Sequence, residues 1–156
     1  MIKVKDIMTT NPITVTPETE ILQATKIILE KDINGLPVLD GEKLVGIICQ
    51  SDLIVQQKKF PIPSLFTLLD GIFPLTSMKH IEKETKKIAA TSVAQAMTTD
   101  PLTIEPEMTI EEVATIMVNK KFHTLPVVEK GKLIGIIGKK DILETLMSNK
   151  KKKKTA

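Results

Sequence analysis

Aromatic side chains are scarce in this sequence of 156 residues, which contains four Phe and neither Trp nor Tyr. The hydrophobic core must therefore be built from aliphatic side chains. Cysteine is limited to Cys49, so no disulfide bond can form within the chain, and a reducing, cytoplasmic environment is predicted. Hydrophobic residues make up 42% of the chain and charged residues 26%, which is close to soluble globular averages and excludes wholesale disorder and a collagen-like fold.

Long apolar runs are also missing. The most apolar stretch, residues 60–75, is interrupted by Pro61, Pro63, Asp70 and Pro74. It is shorter than the roughly 20 residues that a membrane-spanning helix needs. The N-terminal residues turn polar too soon for a signal peptide. We therefore expect a soluble protein that does not act at a membrane.

Arginine is absent, so all 22 basic residues are Lys, against 19 acidic residues and a formal net charge of +3. Five of these lysines form the run Lys150–Lys154, and the rest of the chain has 17 Lys against 19 acids. A block of like charges is typical of a solvated end, so residues 149–156 are predicted to form a disordered, Lys-rich tail. Nucleic acid is not favoured as a partner, and weak binding through the tail stays an alternative.

An internal repeat organises the chain. The segment that starts at Val4 aligns without gaps with the segment that starts at Val93, and 20 of 51 aligned positions are identical. The identical positions include Met8 and Met97, Pro12 and Pro101, Leu36-Pro37-Val38 and Leu125-Pro126-Val127, and Asp52 and Asp141. This agreement indicates a duplicated unit.

Each repeat has the pattern of a β-α-β-β-α unit. In the first repeat we predict a strand at residues 13–15, a helix capped by Thr19, a strand at 36–39, a turn at 40–42, a strand at 43–48 and a helix opened by Ser51 and Asp52. Gly35 is predicted to end the first helical region. The second repeat follows the same order, so an α/β fold of two tandem units is predicted.

The segment between the units, residues 58–91, has an apolar first half punctuated by proline and a charged second half that favours a helix. We interpret it as a helical connection whose Leu and Phe side chains pack on the repeats. A mobile lid or a partner-docking element, hinged at Gly71 and Pro74, is the alternative.

The repeated motif resembles the cystathionine-β-synthase (CBS) domain. It reads M-T-x-[ND]-P-[IL]-T-[VI]-x-P, then a helix, then L-P-V, then K-L-[VI]-G-I-I-x-x-x-D. Two such units, at residues 1–57 and 92–148, resemble a stand-alone CBS pair, or Bateman module. The resemblance implies pseudo-twofold symmetry, with two clefts between the units. It also implies an adenosine-type ligand (AMP, ADP, ATP or S-adenosylmethionine), a homodimer, an unknown regulated protein, no enzymatic activity and no obligatory cofactor.

The same resemblance carries ligand-binding roles onto matching positions. The strand-entry residues for the adenine base are Ile13, Thr14, Leu102 and Thr103, and the opposite wall is Asn34, Gly35, Leu36, Pro37, His123, Thr124, Leu125 and Pro126. Asp52 and Asp141 are the ribose-binding candidates, because a carboxylate only accepts hydrogen bonds and can take two donors. Each Asp also suits the first turn of a helix without any ligand, since negative charge there favours the helix dipole.

Phosphate is expected at the N-terminus of the helix that carries each Asp, where free N–H groups favour anions. The first repeat offers Cys49, Gln50 and Ser51 there, whereas the second offers Gly138, Lys139 and Lys140. We therefore expect the second cleft to suit a di- or triphosphate and the first a less charged ligand. Both repeats lack the Thr or Ser that the family often has three positions before the Asp.

Catalytic and metal-binding patterns are missing from the sequence. His80 and His123 have no Cys or His at metal-ligand spacing, and no nucleophile motif or phosphate-binding loop is found. Cys49 follows a buried strand, which favours an inert thiol. The competing hypothesis is a protein–protein adaptor with vestigial clefts that acts through residues 60–75.

Overall fold

A computed structural model describes residues 1–59 and 91–154. The first repeat contains α1 (Val4–Ile7), β1 (Thr9–Thr10), α2 (Ile21–Lys31), β2 (Gly35–Asp40), β3 (Lys43–Cys49) and α3 (Gln50–Lys59). The second contains α4 (Val93–Ala96), β4 (Thr98–Thr99), α5 (Ile110–Lys120), β5 (Thr124–Glu129), β6 (Lys132–Gly138) and α6 (Lys139–Lys154). None of the helices in these ranges is both long and apolar enough to cross a membrane.

The predicted fold class is confirmed, but the first strand of each unit is not the predicted one. Val15, in the segment predicted as a strand, forms only an isolated parallel bridge with Val38. The strand is instead a Thr-Thr pair that precedes this segment in each repeat. Pro12 and Pro17 bracket residues 13–15, and because proline has no N–H, they limit the ladder that this segment can form.

The two sheets exchange these short strands. β1 of the first repeat pairs with β6, and β4 of the second repeat pairs with β3. Thr9 lies opposite Ile136, and its counterpart Thr98 lies opposite Ile47. The exchange is therefore reciprocal, and it relates the two units by pseudo-twofold symmetry.

Glycine allows the exchanged strands to approach closely. A β-carbon at Gly46 would lie 2.6 Å from Met97 Sδ and 2.8 Å from the carbonyl oxygen of Thr98. Gly135 has the same environment in the other sheet, where the distances to the equivalent atoms are 2.7 and 2.9 Å. Any larger residue at these two positions must displace the backbone of the exchanged strand.

Each hydrophobic core includes a valine from the other repeat. The core around Leu36 includes Val93, and the core around Leu125 includes Val4. Both valines are fully buried. The packing of the two units therefore crosses the predicted sequence boundaries.

Local sequence explains where α5 begins, but it misplaces the start of α2. The Thr109 hydroxyl accepts a hydrogen bond from the Glu112 N–H (3.3 Å), and the Glu112 carboxylate accepts one from the Thr109 N–H (2.9 Å), which makes a capping box. The predicted Thr19 cap is wrong, because Glu20 is the residue before α2. The Thr19 hydroxyl instead accepts a hydrogen bond from the Thr16 N–H in the preceding turn.

Two more of the predicted boundaries in the first repeat are wrong. α2 is ended by Asp32 in the left-handed conformation (φ 50°), whereas Gly35 is already the first residue of β2. α3 begins at Gln50, so Ser51 lies inside the helix. The Asp52 carboxylate accepts a hydrogen bond from the Cys49 N–H at this helix start.

The helix α6 includes residues 149–154 of the predicted Lys-rich tail. Lysine is a good helix former, so the Lys run extends the helix that precedes it. The predicted connection, including Gly71, Pro74 and the apolar stretch 60–75, lies almost entirely outside the described residues.

Candidate ligand-binding cleft

A cavity of about 610 Å³ lies between the two units and is lined by both repeats. The predicted site residues that line it are Ile13, Asn34, Gly35, His123, Thr124, Lys139, Lys140 and Asp141. Gln50 and Gly138, which the sequence places at the phosphate-binding helix starts, also line it. The residues that sequence reasoning did not select are Thr9, Pro12, Lys31, Asp32, Ile33, Ile136 and Glu144. Identity between the repeats is a signal that would have found Thr9, Pro12 and Lys31.

The remaining predicted residues are not in the lining of this cavity: Thr14, Leu36, Pro37, Ser51, Asp52, Leu102, Thr103, Leu125 and Pro126. The side chains of Leu36 and Leu125 belong to the two hydrophobic cores. By the repeat offset, Asp52 and Leu102 belong to the counterpart of this cleft.

The Asp141 side chain is held at the N-terminus of α6 by a hydrogen bond from the backbone of the preceding turn. The Gly138 N–H donates a hydrogen bond to Asp141 Oδ2 (2.8 Å). Burial is the main cause that raises the pKa of this carboxyl, and the negative charge of Glu144 adds to the effect. Oδ2 accepts the backbone bond, which leaves both acceptor positions of Oδ1 for a ligand.

Asp52, the counterpart of Asp141, has both of its oxygens engaged. Its Oδ2 accepts a hydrogen bond from the Cys49 N–H (2.8 Å), and its Oδ1 accepts one from the Thr98 hydroxyl (3.2 Å). Among the described residues, Thr9 makes no corresponding bond to Asp141. The carboxylate caps the helix in both units. It accepts two protein hydrogen bonds in the Asp52 cleft but only one in the Asp141 cleft.

Three lysines from two directions line the cavity. Lys139 and Lys140 lie in the first turn of α6, and Lys31 is the last residue of α2 in the other repeat. A helix N-terminus with adjacent positive charge favours an anion. Asp32, Asp141 and Glu144 also line the cavity, so its three lysines are matched by three carboxylates.

Two matching backbone hydrogen bonds fix the wall opposite the strand-entry segment. The Gln50 N–H donates to the Asn34 carbonyl, and the Lys139 N–H donates to the His123 carbonyl, each at 3.0 Å. These bonds tie the residue before each central hairpin to the start of the helix that follows it. The apolar side chain of Ile13, which is 42% exposed, lies in the same lining and offers a surface for a flat base.

Cys49 is suited to packing rather than to nucleophilic chemistry. Burial, with a smaller contribution from the negative charge of Asp52, raises the pKa of the thiol to about 12. The neutral thiol is a poor nucleophile and a poor metal ligand. Within residues 1–59 and 91–154, no group of three or more His, Cys, Asp or Glu side chains is placed to hold a metal ion.

The sequence profile of the CBS domain matches residues 4–58 and 93–148, which is most of the chain and both repeats. The chain belongs to the CBS-domain family. As a tandem CBS pair, it is similar to an uncharacterized protein of Methanocaldococcus jannaschii, with 33% identity over 155 residues that cover 92% of this chain and 90% of that protein.

Two further relatives show where such CBS pairs occur. An inosine-5'-monophosphate dehydrogenase of Korarchaeum cryptofilum is 33% identical over 131 residues, which cover 83% of this chain but only 21% of that enzyme. The crystal structure of CBSX2 from Arabidopsis thaliana in complex with AMP has a TM-score of 0.71 to this chain and 28% identity. That match covers 96% of this chain and 99% of the CBSX2 chain.

Proposed function

We propose that this CBS pair is a regulatory module that binds an adenosine-type ligand in the cleft lined by Asp141. The observation that carries the proposal is a cavity of about 610 Å³, well within the size range of ligand pockets, that joins a carboxylate to the lysine-flanked N-terminus of α6. The similarity to CBSX2, whose crystal structure contains AMP, supports the choice of ligand class.

Each part of the ligand has a group to meet it. Ile13 gives the base an apolar surface beside Thr14, whose position the family uses for the same purpose. The Asp141 carboxylate accepts hydrogen bonds from the ribose hydroxyls. Lys139 and Lys140 meet the phosphate at the helix N-terminus, and Lys31 meets it from the opposite wall. The counterpart cleft would use Leu102, Thr103, Ser51 and Asp52 in the same way, beside Leu36, Pro37, Leu125 and Pro126.

The lysines favour a phosphorylated nucleoside over S-adenosylmethionine at this cleft. A nucleotide brings two or more negative charges to Lys31, Lys139 and Lys140, whereas the sulfonium group of S-adenosylmethionine is a cation. Lysine neutralises phosphate as a point charge, so binding of AMP, ADP or ATP should weaken as salt is added.

A calorimetric titration with AMP, ADP, ATP, S-adenosylmethionine and adenosine tests the proposal. We expect the nucleotides to bind best. Asp141→Asn should weaken nucleotide binding roughly tenfold or more, because it removes a charged acceptor. Asp52→Asn is the matched control and should leave the tighter site in place. Absence of binding by all five compounds at millimolar concentration would contradict the proposed function.

Regulation would follow from the position of the cleft between two units. A ligand that touches both walls stabilises the arrangement in which the walls are at the right distance, and it shifts the population only by its differential affinity. The change would reach a protein that this module regulates, rather than a reaction that the module catalyses. A cytoplasmic location fits the single, unpaired cysteine.

A homodimer is the assembly that we propose for the module. Leu143, Leu146 and Met147 lie on one face of α6 and are 60%, 58% and 62% exposed. Ile54 and Val55 on α3 are also more than half exposed. Apolar side chains grouped on the surface mark contact sites. Sedimentation velocity should show a dimer that Leu143→Glu dissociates, and a wild-type monomer at micromolar concentration would contradict this assembly.

A further inference from the structure

One cross-strand pair beside the clefts has its glycine on different strands in the two repeats. Gly35 lies opposite Cys49 in the β2–β3 hairpin, and Thr124 lies opposite Gly138 in the β5–β6 hairpin. Residues 35 and 124 are equivalent in the repeat, as are residues 49 and 138. In each hairpin one partner is therefore glycine, but the side chain is on a different strand.

In the first unit the thiol takes the space between the strands. A β-carbon at Gly35 would lie 2.9 Å from Cys49 Sγ and 3.3 Å from the Ile48 carbonyl oxygen. A side chain at residue 35 would therefore require the Cys49 thiol to move. The thiol is neutral and a weak hydrogen-bonding group, so it offers little to a polar ligand.

In the second unit a hydroxyl takes the equivalent place from the other strand. A β-carbon at Gly138 would lie 3.8 Å from Asp141 Oδ2 and 3.9 Å from Thr124 Oγ1. The carboxylate and the hydroxyl thus flank the same point, and all three residues line the cavity. Thr124 as a whole residue is only 8% exposed, and among the described residues it is the one polar residue that is buried.

The Thr124 hydroxyl is accessible from the cavity. Among the described residues, no side-chain oxygen or nitrogen is buried without a hydrogen-bond partner, and Thr124 lines the cavity. Valine has nearly the same shape as threonine, so packing alone does not require Thr124. A hydroxyl that lines a cavity beside a carboxylate is placed to form a hydrogen bond with a polar ligand.

We propose that the Thr124 hydroxyl binds the ribose together with Asp141, so that the ligand occupies the Asp141 cleft in preference to the Asp52 cleft. The inference rests on the proposed function. It adds a residue that determines which of the two clefts binds the ligand more tightly. Asp141 accepts from a ribose hydroxyl, and Thr124 donates to the oxygen of the neighbouring hydroxyl. A vicinal diol needs both an acceptor and a donor, which this pair supplies.

The Asp52 cleft differs in both features. The Thr98 hydroxyl already donates to Asp52 Oδ1 at 3.2 Å, so this carboxylate has fewer acceptor positions left for a ribose hydroxyl than Asp141 has. The thiol of Cys49 stands where the second unit has the Thr124 hydroxyl. The two clefts therefore differ in ribose recognition as well as in phosphate recognition.

Titration of three probes into matched variants tests the inference. The probes are AMP, 2'-deoxy-AMP and 3'-deoxy-AMP, and the variants are Thr124→Val, which keeps the shape, and Thr124→Ser, which keeps the hydroxyl. We expect Thr124→Val to weaken AMP binding about tenfold, as for the loss of one buried hydrogen bond, and Thr124→Ser to bind nearly as well as wild type. For the deoxynucleotide that lacks the contacted hydroxyl, Thr124→Val should have no further effect.

The outcomes separate this inference from the proposed function. Wild-type protein that binds none of the probes overturns both. Wild-type protein that binds AMP while Thr124→Val binds it equally well overturns only the role of Thr124. An equal loss for AMP and for both deoxynucleotides also overturns it, because the side chain would then act through packing. The double variant Thr124→Gly/Gly138→Cys gives the second cleft the pair of the first, and it should bind AMP as weakly as Thr124→Val or more so.

Discussion

The Thr98 hydroxyl donates a hydrogen bond of 3.2 Å to the Asp52 carboxylate and so joins the strand of one repeat to the helix start of the other. Thr98 belongs to β4, whose partner strand β3 ends at the residue before α3. The exchange of strands between the units thus reaches the residue that the family motif places in the ligand cleft.

Thr98→Val should destabilise the apo protein by about 1 kcal/mol, because Asp52 loses one hydrogen bond. Thr9→Val is the matched control, since Thr9 and Asp141, both within the described ranges, form no such bond. Urea denaturation of the two variants provides the comparison. Equal losses of stability would show that the Thr98 bond contributes nothing of its own.

Gly46→Ala should destabilise the protein by roughly 1–3 kcal/mol, the usual cost of overpacking. Its β-carbon would lie 2.8 Å from the Thr98 carbonyl oxygen, and this backbone atom cannot rotate away. Gly138→Ala is the control, because its nearest contact would be an ordinary 3.6 Å. Adding Met97→Ala to Gly46→Ala should restore little stability, since the contact with the Thr98 carbonyl remains. Full recovery of stability would mean that only the Met97 thioether clashes with the new β-carbon.

Val4→Ala should cost about 2 kcal/mol of stability, as expected for truncating a fully buried aliphatic side chain. Val93→Ala should cost a similar amount, because Val93 has the equivalent place in the other core. Thermal and chemical denaturation measure both effects. A Val4→Ala protein as stable as wild type would indicate that the N-terminal segment does not complete the second core in solution.

Glu107 should make the protein more stable above pH 4.5 than below it. Hydrogen bonds from Lys3 Nζ (2.5 Å) and Lys5 Nζ (2.6 Å) lower the pKa of this carboxyl to about 2. A carboxyl whose folded pKa is lowered contributes stability above its unfolded pKa, and the contribution fades as the pH falls towards 2. The effect is small and sensitive to salt, because all three side chains are exposed.

The comparison of wild type with Glu107→Gln at a series of pH values checks this expectation. The wild-type advantage should be full at pH 6 and should narrow steadily below pH 4.5. High salt should reduce it at every pH. A difference that is independent of both pH and salt would show that the two lysines do not act through the charge of Glu107.

Asp141→Asn should stabilise the apo protein at neutral pH while it weakens ligand binding. Burial and the charge of Glu144 raise the pKa of Asp141, so the folded state disfavours the ionised form. For an acid with a raised folded pKa, stability falls as the pH rises from the unfolded pKa through the folded one. The gain from Asn should therefore be present at pH 7 and disappear below the unfolded pKa of about 3.8.

Denaturation of apo wild type and Asp141→Asn between pH 3 and pH 7 measures this gain. If Asp141→Asn is less stable than wild type at pH 7, the hydrogen bond of the carboxylate at the helix start stabilises the fold by more than burial of its charge costs.

The repeat made most of the architecture predictable. The hairpins at Leu36 and Leu125 and the helices after them were readable from local pattern, since glycine, proline and aliphatic runs at fixed spacing leave few alternatives. The helix starts were less certain. Thr19 resembles a cap in sequence, but the preceding turn uses its hydroxyl, and only the folded backbone shows which N–H each hydroxyl meets.

The candidate site was predictable in part. Asp141, Lys139 and Lys140 were predicted from the repeated motif and its charge, and all three line the cavity. Lys31 and Glu144 were missed, since the first comes from the opposite unit and the second is one turn further along α6. The contrast between Thr124 and Cys49 was also invisible, because cross-strand partners are known only once the register is known.

The sequence by itself determined two α/β units of one kind, with a carboxylate at the same helix start in each, because the duplicated pattern of apolar and turn residues specifies the same local structure twice. Only the tertiary structure decided which segments complete which unit. Strand pairing and core packing act between residues that are far apart in the chain. For that reason, four residues complete the core or the sheet of the repeat to which they do not belong in sequence: Val4, Thr9, Val93 and Thr98.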